Sequence, residues 1–394
     1  MKSPMLLLMT VCCVLHAAET LPFMDKAPSM RGIPGDPAWR SASMTSDFRQ
    51  SRPGAGNGKI TAWIGRTADT LYAALLSEHA NTDAFHHDQT AHDGEIYKDD
   101  DFEIFLDFRG RKKDYLLIIG NTNGAVLDLY VDQNRRQRPD YESGAVVRGS
   151  ILEKGYYIEM AIPLASLRLG ENETGSIGIC LARSIAWNKD SQSCFGKFHQ
   201  PGTWKYFQRP FETPLILKSA SYKLIAGKQP FRFELFNTST RKLALNLDFS
   251  GAQCPVTIPP RTAQVFQLET ALKAESEPVH KTLKVSDRSG RTLLQWGVFG
   301  KVRPAFEAAL QSFVLYNGEK ARLRIILNDR AAGTVNIRSV SQEGRILARK
   351  SLAADGGGKD VEAAVPAGTA YILCEYGSAQ KKFPVRIIPS PWGE

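Results

Sequence analysis

The sequence predicts an all-β protein built of successive β-sandwiches. Short apolar segments of strand length recur along the chain, separated by turn pairs such as Asn123-Gly124 and Lys154-Gly155. No long amphipathic helical period and no alternation of strands with helices accompanies them, which argues against an α/β enzyme fold. The 394 residues, 43% hydrophobic and 23% charged, are those of a globular chain with two or three domains.

The N-terminal residues are predicted to be a secretory signal. Lys2 precedes an apolar stretch from Met5 to Leu15, and Ala17-Ala18 supplies small residues at a cleavage site. The stretch is shorter than the roughly 20 residues of a spanning helix, and no later stretch approaches that length. We therefore expect an exported protein, periplasmic, secreted or at the cell surface, without a transmembrane segment.

Seven strands and one helical turn are predicted between the signal and residue 217. The turn is Ala165–Leu169, after Pro163 ends a strand. The strands are Ile60–Ile64, Thr70–Ser77, Phe102–Phe108, Tyr115–Ile119, Ala125–Val131, Tyr156–Ile162 and Gly178–Arg183.

The strand that begins near Asp101 carries two chemistries. Phe102, Ile104, Leu106 and Phe108 point to one face, and the opposite face presents Asp101, Glu103, Phe105 and Asp107. An acidic face that includes an aromatic ring suits a ligand with hydroxyl groups and an apolar ring face. The alternative is an edge strand whose charges on the wet side discourage aggregation.

A family resemblance covers roughly residues 30 to 217. Its segments follow one another in order: Asp36-Pro37-Ala38-Trp39, Thr70–Ala74, Asp101–Asp107, Gly155–Leu164, Gly175–Ile179 and Phe198-His199-Gln200-Pro201. Together they resemble the family 9 carbohydrate-binding module, a β-sandwich related to the DOMON-like group.

The resemblance implies a sugar site on one sheet face. Sugar-binding members clamp a terminal sugar between two aromatic rings, which correspond here to Tyr97 and Phe198, and the carboxylate on the acidic strand corresponds to Glu103. Phe105 is the further ring expected on that face. Leu116 or Leu117 stands where those members have a basic residue.

Metal binding is a second expectation. Asp101 and Asp107 are candidate ligands for calcium, or orient Glu103. The long connection 78–98 adds a set of histidines and carboxylates whose types suit zinc or calcium but whose spacing matches no known cage. A solvated polar loop, calcium held by carboxylates from several loops, and zinc therefore all stay open for that connection. The set comprises His79, His86, His87, His92, Asp83, Asp88, Asp93 and Glu95.

Beyond Pro214 the pattern becomes that of Ig-like sandwiches, with one or two such domains. We predict domains at 19–217, 218–300 and 301–394, after the signal at 1–18. The strands predicted there fall within Ser221–Phe236, Leu243–Phe249, Pro255–Pro260, Ala263–Leu268, Phe313–Tyr316, Leu323–Leu327, Thr334–Ile337 and Tyr371–Leu373.

Four cysteines follow the signal, which permits three pairings in an oxidising compartment. Cys180 and Cys194 are the expected pair because a short loop separates them. Cys254 and Cys374 are expected in different domains, each as a small hydrophobic residue.

Net charge of +9 comes with two basic clusters, Arg109–Lys113 and Arg135–Arg138. A run of charged residues is usually a solvated turn. No nucleic-acid-binding motif accompanies these clusters, so we do not expect nucleic acid as the partner. The positive charge instead favours an anionic glycan.

The functional prediction is an exported, non-catalytic carbohydrate-binding protein. The alternative is a structural or adhesive β-sandwich protein without a sugar site. The third reading is a glycan-active hydrolase with unassigned carboxylates, for which Glu103 and Glu159 are a candidate pair. A retained sugar site requires Tyr97, Glu103 and Phe198 to face one groove, whereas a lost site scatters or buries them.

Overall fold

The computed structural model describes residues 19–50, 58–78, 84–170, 174–186, 190–208, 214–274, 278–328, 333–354 and 357–391. The predicted signal at 1–18, His79 and Asp83 lie outside these residues. Within them the regular structure consists of β-strands and four 3₁₀ helices, with no α-helix. The all-β fold class is therefore confirmed. No helix in these ranges is long and apolar enough to cross a membrane.

The first fourteen strands include all seven that the sequence predicts in this region. In chain order they are β1 (Ser43–Thr45), β2 (Arg49–Gln50), β3 (Lys59–Arg66), β4 (Thr70–Glu78), β5 (Asp101–Asp107), β6 (Tyr115–Asn121), β7 (Val126–Val131), β8 (Gln137–Arg138), β9 (Tyr141–Glu142), β10 (Val146–Leu152), β11 (Gly155–Pro163), β12 (Ser176–Ile185), β13 (Asp190–Cys194) and β14 (Lys205–Gln208). The 3₁₀ helices are Pro37–Ser41, Ile96–Lys98, Leu164–Leu167 and Pro201–Thr203.

The later strands follow the predicted alternation and add several that the pattern did not mark. They are β15 (Leu215–Ser221), β16 (Gly227–Asn237), β17 (Leu243–Phe249), β18 (Ala252–Ile258), β19 (Ala263–Leu272), β20 (Val279–Asp287), β21 (Thr292–Gly300), β22 (Phe306–Leu310), β23 (Val314–Tyr316), β24 (Ala321–Leu327), β25 (Gly333–Val340), β26 (Ile346–Ala354), β27 (Gly357–Ala363), β28 (Tyr371–Tyr376), β29 (Ala379–Pro384) and β30 (Arg386–Ile388).

The described chain divides into two compact units. The first contains the residues up to Ser219 with Phe233–Phe266 and His280–Phe299; the second contains Ala220–Arg232, Gln267–Val279 and the residues from Gly300 onward. The predicted domain boundaries near residues 217 and 300, and the Ig-like assignment, stay predictions.

The first unit contains a β-sandwich. One sheet has the order β1-β3-β4-β11-β10, and the other runs β2-β13-β12-β5-β6-β7-β8 with β14 also paired to β12. The sheets meet closely, since a Cβ on Gly120 of β6 would come within 2.9 Å of Met160 on β11. Tyr156 of β11 also donates its hydroxyl to the Asp101 carbonyl at 3.1 Å. Ile104, Ile158 and their neighbours on the facing sides are fully buried.

A further sheet of the first unit joins distant parts of the chain. Its order is β18-β17-β20-β21-β9. The two-residue strand β9 pairs with β21 through Glu142 opposite Gly297 and Tyr141 opposite Val298. A Cβ atom on residue 297 would lie 2.7 Å from the Cβ atom of Glu142. Any side chain larger than glycine at this position would therefore displace Glu142.

The second unit is also all-β. It contains a sheet β22-β24-β27, the pair β23-β30 and a sheet β26-β25-β28-β29. Its core is aliphatic and includes Leu323, Ile325, Ile337 and Ile372, each at most 2% exposed. Leu323 lies between the exposed Arg322 and Arg324 on β24, the alternation expected for a sheet with one wet face.

The predicted bridge between Cys180 and Cys194 is not formed, and all four cysteines in the described residues are free. Register explains why. Cys194 lies opposite Leu181, so its side chain shares the face of Leu181, and Cys180 as the preceding residue points to the other face.

Candidate functional site

The outer face of the larger sheet holds a groove of about 1010 Å³. Strands β12, β5, β6 and β7 form its floor, and the segments 84–98 and 195–200 contribute its rim. We call this cavity the groove. The groove lies on the face of β5 to which the sequence pattern assigns Glu103.

Glu103 is the carboxylate of the groove floor. It lies between Ala182 on β12 and Ile119 on β6 and is 6% exposed. The Ser184 hydroxyl donates to its Oε1 at 2.9 Å. Burial raises the pKa of Glu103 to about 7, and the Ser184 hydrogen bond offsets only part of that rise. A carboxyl in this state can accept or donate a hydrogen bond near neutral pH.

The rest of the floor is largely aliphatic. Leu117, Ile119, Leu127 and Leu129 from β6 and β7 line the groove beside Glu103. The alternation of β6 also decides which leucine replaces the basic residue implied by the resemblance: Leu117 faces the groove, and Leu116 does not line it. A floor with one carboxylate among aliphatic groups suits a ligand that is apolar on one face.

Tyr97 stands on the rim and is 55% exposed. It belongs to the short helix Ile96–Lys98, which is anchored by Ile96, a fully buried residue packed on the cluster beneath the groove. The Tyr97 hydroxyl donates to Glu95 Oε1 at 3.1 Å, and Lys98 Nζ pairs with Glu95 Oε2 at 2.6 Å. The ring is thus held by its backbone and one exposed hydrogen bond.

Phe198 is the second ring that lines the groove, and it is half-buried. It packs edge-on against Phe105, with ring centroids 5.7 Å apart. Phe105 itself is 0% exposed and does not line the groove. The structure therefore places Phe105 beneath the groove, where it supports Phe198.

The support extends to a cluster of rings around Phe105. His199 stacks edge-on against it at 5.1 Å and shares a 2.7 Å hydrogen bond between its Nδ1 and the Tyr115 hydroxyl. Trp204 contacts both Phe105 and Tyr115. Partial burial lowers the pKa of His199, and the nearby Arg135 guanidinium lowers it further, so the ring favours its neutral form. We call these five residues, Phe105, Tyr115, Phe198, His199 and Trp204, the aromatic cluster.

The acidic run before β5 binds backbone. Asp99 accepts from the amides of Asp88 and Gln89 at 3.1 and 2.9 Å. Asp100 accepts from Ala186 N at 2.8 Å. These bonds fix the connection that leads to Tyr97, so the run of aspartates is explained by loop anchoring.

Asp101 and Asp107 are not brought together. They occupy the two ends of β5, about 20 Å apart at the usual rise per residue, and both are fully buried. Asp101 accepts from Ser184 N at 3.0 Å, and burial raises its pKa well above the usual range, with Glu103 adding to the rise. Asp107 accepts from Lys112 N and the Tyr206 hydroxyl, both at 2.7 Å. Each carboxylate thus has a local structural partner, and the two cannot share one ion.

Of the ligand-binding residues predicted from the sequence, the groove brings together Tyr97, Glu103 and Phe198. It also contains residues the sequence did not single out, notably Ser184, Ser191 and Gln137. Ser184 and Ser191 lie opposite each other on β12 and β13. Ala182 and Ser193, two residues away on the same strands, lie on the same face. The sequence pattern did not predict β13 as a strand, so it did not predict this pair of serines.

Comparison with known proteins adds two structures of a family 9 carbohydrate-binding module from Caldicellulosiruptor kristjanssonii. The one in complex with cellotriose is 14% identical over 48% of this chain and 92% of that chain, with a TM-score of 0.35. The one in complex with glucose is 16% identical over 47% of this chain and 93% of that chain, with a TM-score of 0.33. No protein family model and no curated protein matches the sequence.

Proposed function

We propose that the groove binds the sugar rings of a neutral glycan without cleaving it, and that the protein does so outside the cytoplasm. One observation carries the proposal: Tyr97, Glu103 and Phe198, taken from three separate segments, line the same groove. A sandwich that had lost its sugar site would have no reason to keep these side chains on one surface. This favours the binding hypothesis over the structural or adhesive alternative.

Each group has a role that fits a sugar. The exposed Tyr97 ring and the half-buried Phe198 ring offer apolar faces to the C–H face of a pyranose. Glu103, with Ser184 and Gln137, offers hydrogen bonds to hydroxyl groups. Among the described residues that line the groove, the carboxylates Asp93 and Glu95 accompany Glu103, and Lys98 is the one lysine. This balance of charge favours a neutral glycan over an anionic one.

Binding is favoured over hydrolysis by the position of the second carboxylate. Glu159 lies on β11 in the opposite sheet, so the candidate pair Glu103 and Glu159 is not on neighbouring strands. Glu159 instead accepts from Gly32 N at 2.6 Å and from the Tyr157 hydroxyl at 3.2 Å. It fixes the N-terminal segment to the sandwich.

Replacing Tyr97 with alanine tests the proposal. We expect it to weaken binding of a glycan identified by array screening by roughly 1 to 3 kcal/mol, because the ring's exposed face is its ligand contact. The melting temperature should stay close to that of the wild type, since the ring is 55% exposed. Isothermal titration calorimetry and thermal denaturation measure the two quantities.

A matched control is Tyr316→Ala, which removes a 44% exposed tyrosine from β23 in the second unit. It should leave glycan affinity unchanged. Wild-type protein that binds no glycan in a broad array, or equal affinity losses in both variants, would contradict the proposal.

Glu103→Gln should separate stability from binding. Because burial raises the pKa of Glu103 from 4.5 to about 7, the folded state holds this proton more tightly than the unfolded state. The carboxyl therefore lowers the free energy of unfolding as pH rises from about 5 to 8, by on the order of 2 kcal/mol. Glutamine cannot ionise, so the variant should lose less stability than the wild type over that range.

Urea denaturation at pH 5 and pH 8 measures this difference, and the same variant should bind glycan more weakly at both pH values. If Glu103→Gln is more stable than the wild type at pH 8 but binds glycan more weakly, the carboxylate contributes to ligand binding at the expense of stability. Parallel pH dependence in variant and wild type would show that Glu103 is not the group that titrates.

A further inference from the structure

A second cluster of ionisable side chains lies in the first unit next to the groove, and of its members only Asp93 also lines the groove. It contains His92 and Asp93 from the connection before β5, Asp128 on β7 and Glu142 on β9. We call these four residues the His92 cluster. Their segments are up to 50 residues apart in sequence and meet only through the fold, because β9 leaves the sandwich to pair with β21.

The ligand-type atoms of the cluster converge. One atom each from His92, Asp93 and Asp128 lies within 4.8 Å of the other two. His92 Nε2 is also 2.8 Å from Glu142 Oε2. His280 on β20 reaches the same carboxylate, with its Nε2 3.7 Å from Glu142 Oε2.

Backbone amides hold one oxygen of each carboxylate. Asp128 N donates to Asp93 Oδ1 at 3.4 Å, Ser143 N donates to Asp128 Oδ2, and Gly144 N donates to Glu142 Oε1 at 2.8 Å. This is the arrangement by which outer partners orient the ligands of a metal, leaving the second oxygen of each carboxylate to bind.

The second oxygens of two aspartates lack a hydrogen bond within the described residues. These are Asp93 Oδ2 and Asp128 Oδ1, and each is buried. Asp128 is 0% exposed as a whole residue. A buried carboxylate oxygen without a donor costs free energy, and a bound cation removes that cost.

We propose that the His92 cluster binds a divalent metal ion of the zinc type through His92 Nε2, Asp93, Asp128 and Glu142, and zinc is the ion used to test it. Two observations of different kinds support the site. The His92 imidazole converges with Asp93 and Asp128 and also contacts Glu142, and the fully buried Asp128 has an unpartnered oxygen. Imidazole with carboxylate is a ligand set for zinc and its neighbours, whereas calcium and magnesium prefer oxygen alone.

Zinc binding requires the aspartate oxygens to move inward and the contact between His92 and Glu142 to widen slightly. Ligand atoms around tetrahedral zinc lie roughly 3.3 Å apart, given bond lengths of about 2.0 Å. His92 Nε2 is 2.8 Å from Glu142 Oε2, inside that distance, whereas the ligand atoms of His92, Asp93 and Asp128 lie within 4.8 Å of one another and must move closer together. The imidazole of His280 is near enough to replace or join Glu142.

The competing explanation is an ion pair, in which a protonated His92 neutralises Glu142 without a metal. It accounts for the 2.8 Å contact but leaves Asp93 Oδ2 and Asp128 Oδ1 without partners. Direct metal binding separates the two explanations, and it does so independently of any glycan.

The experiment titrates ZnCl₂ into the full mature chain after chelator treatment, with calorimetry and metal analysis as readouts. We expect one zinc per chain and a higher melting temperature with zinc than without. His92→Gln and Asp128→Asn should each weaken zinc binding by about tenfold or more, because loss of even an outer partner of a metal ligand costs about 10- to 100-fold in affinity. His87→Gln is the matched control, since His87 lies in the same connection, is exposed and stands outside the cluster.

Circular dichroism establishes that each variant is folded. His92 is only partly buried, so His92→Gln decides the result if Asp128→Asn does not fold. Wild type that takes up no zinc, wild type that binds calcium but not zinc, or a folded His92→Gln with wild-type zinc affinity would each overturn the proposal.

Discussion

Replacing Phe105 with alanine is expected to lower the free energy of unfolding by about 3 to 5 kcal/mol. The residue is fully buried, and its ring contacts four other rings: those of Tyr115, Phe198, His199 and Trp204. Alanine would leave a cavity at the centre of the aromatic cluster that the surrounding strands cannot fill. Urea denaturation followed by tryptophan fluorescence measures the change, since Trp204 belongs to the same cluster.

The control for this substitution is Phe313→Ala, which removes a phenylalanine that is 54% exposed. It should change stability by less than about 0.5 kcal/mol. A Phe105→Ala variant that keeps wild-type stability would mean that this ring is not packed as described. Phe105→Leu should recover most of the loss, because it restores much of the buried volume.

Replacing Asp190 with alanine is expected to cost about 3 to 5 kcal/mol, because it leaves the charge of Arg183 buried without its partner. Arg183 is 0% exposed and Asp190 is 3% exposed. Arg183 Nη2 pairs with Asp190 Oδ2, and its Nη1 donates to Ser77 Oγ at 3.0 Å in the opposite sheet. The pair therefore joins β12, β13 and β4 across the sandwich.

The double variant Arg183→Met with Asp190→Ala tests whether the unpaired charge of Arg183 causes the loss of stability. Removing both charges should recover a large part of the stability lost in Asp190→Ala, because no charge is then left buried. If the double variant is as unstable as the sum of the two single variants, the loss comes from packing and not from the unpaired charge. Chemical denaturation of the four proteins in this cycle supplies the comparison.

The two halves of the groove differ in what they contribute. The aromatic cluster packs beneath the groove, and the binding hypothesis assigns the glycan contacts to Tyr97, Glu103 and Phe198, which line the groove. This separation is what makes the predictions distinct: alanine at Phe105 should act on stability, whereas alanine at Tyr97 should act on binding.

The acidic strand shows how far local pattern reaches. Alternation from Asp101 to Phe108 predicts a strand and assigns Glu103 and Phe105 to one face, and the structure has β5 with that alternation. The pattern also favours an open acidic face, yet all seven residues of β5 are buried. The cover comes from the connection 84–98, which precedes β5, and from Phe198 and His199, which are distant from β5 in sequence.

The amino-acid pattern alone was enough to predict the all-β class, the principal strands and the face to which each strand residue points, because a two-residue period is a property of neighbouring residues. Three further features follow from the three-dimensional fold: Tyr97 is exposed while Phe105 is buried, Cys180 and Cys194 point to opposite faces, and His92 contacts Glu142. These outcomes depend on strand register and on which loops cover a face. Both are set by contacts between segments far apart in the chain, which no local period encodes.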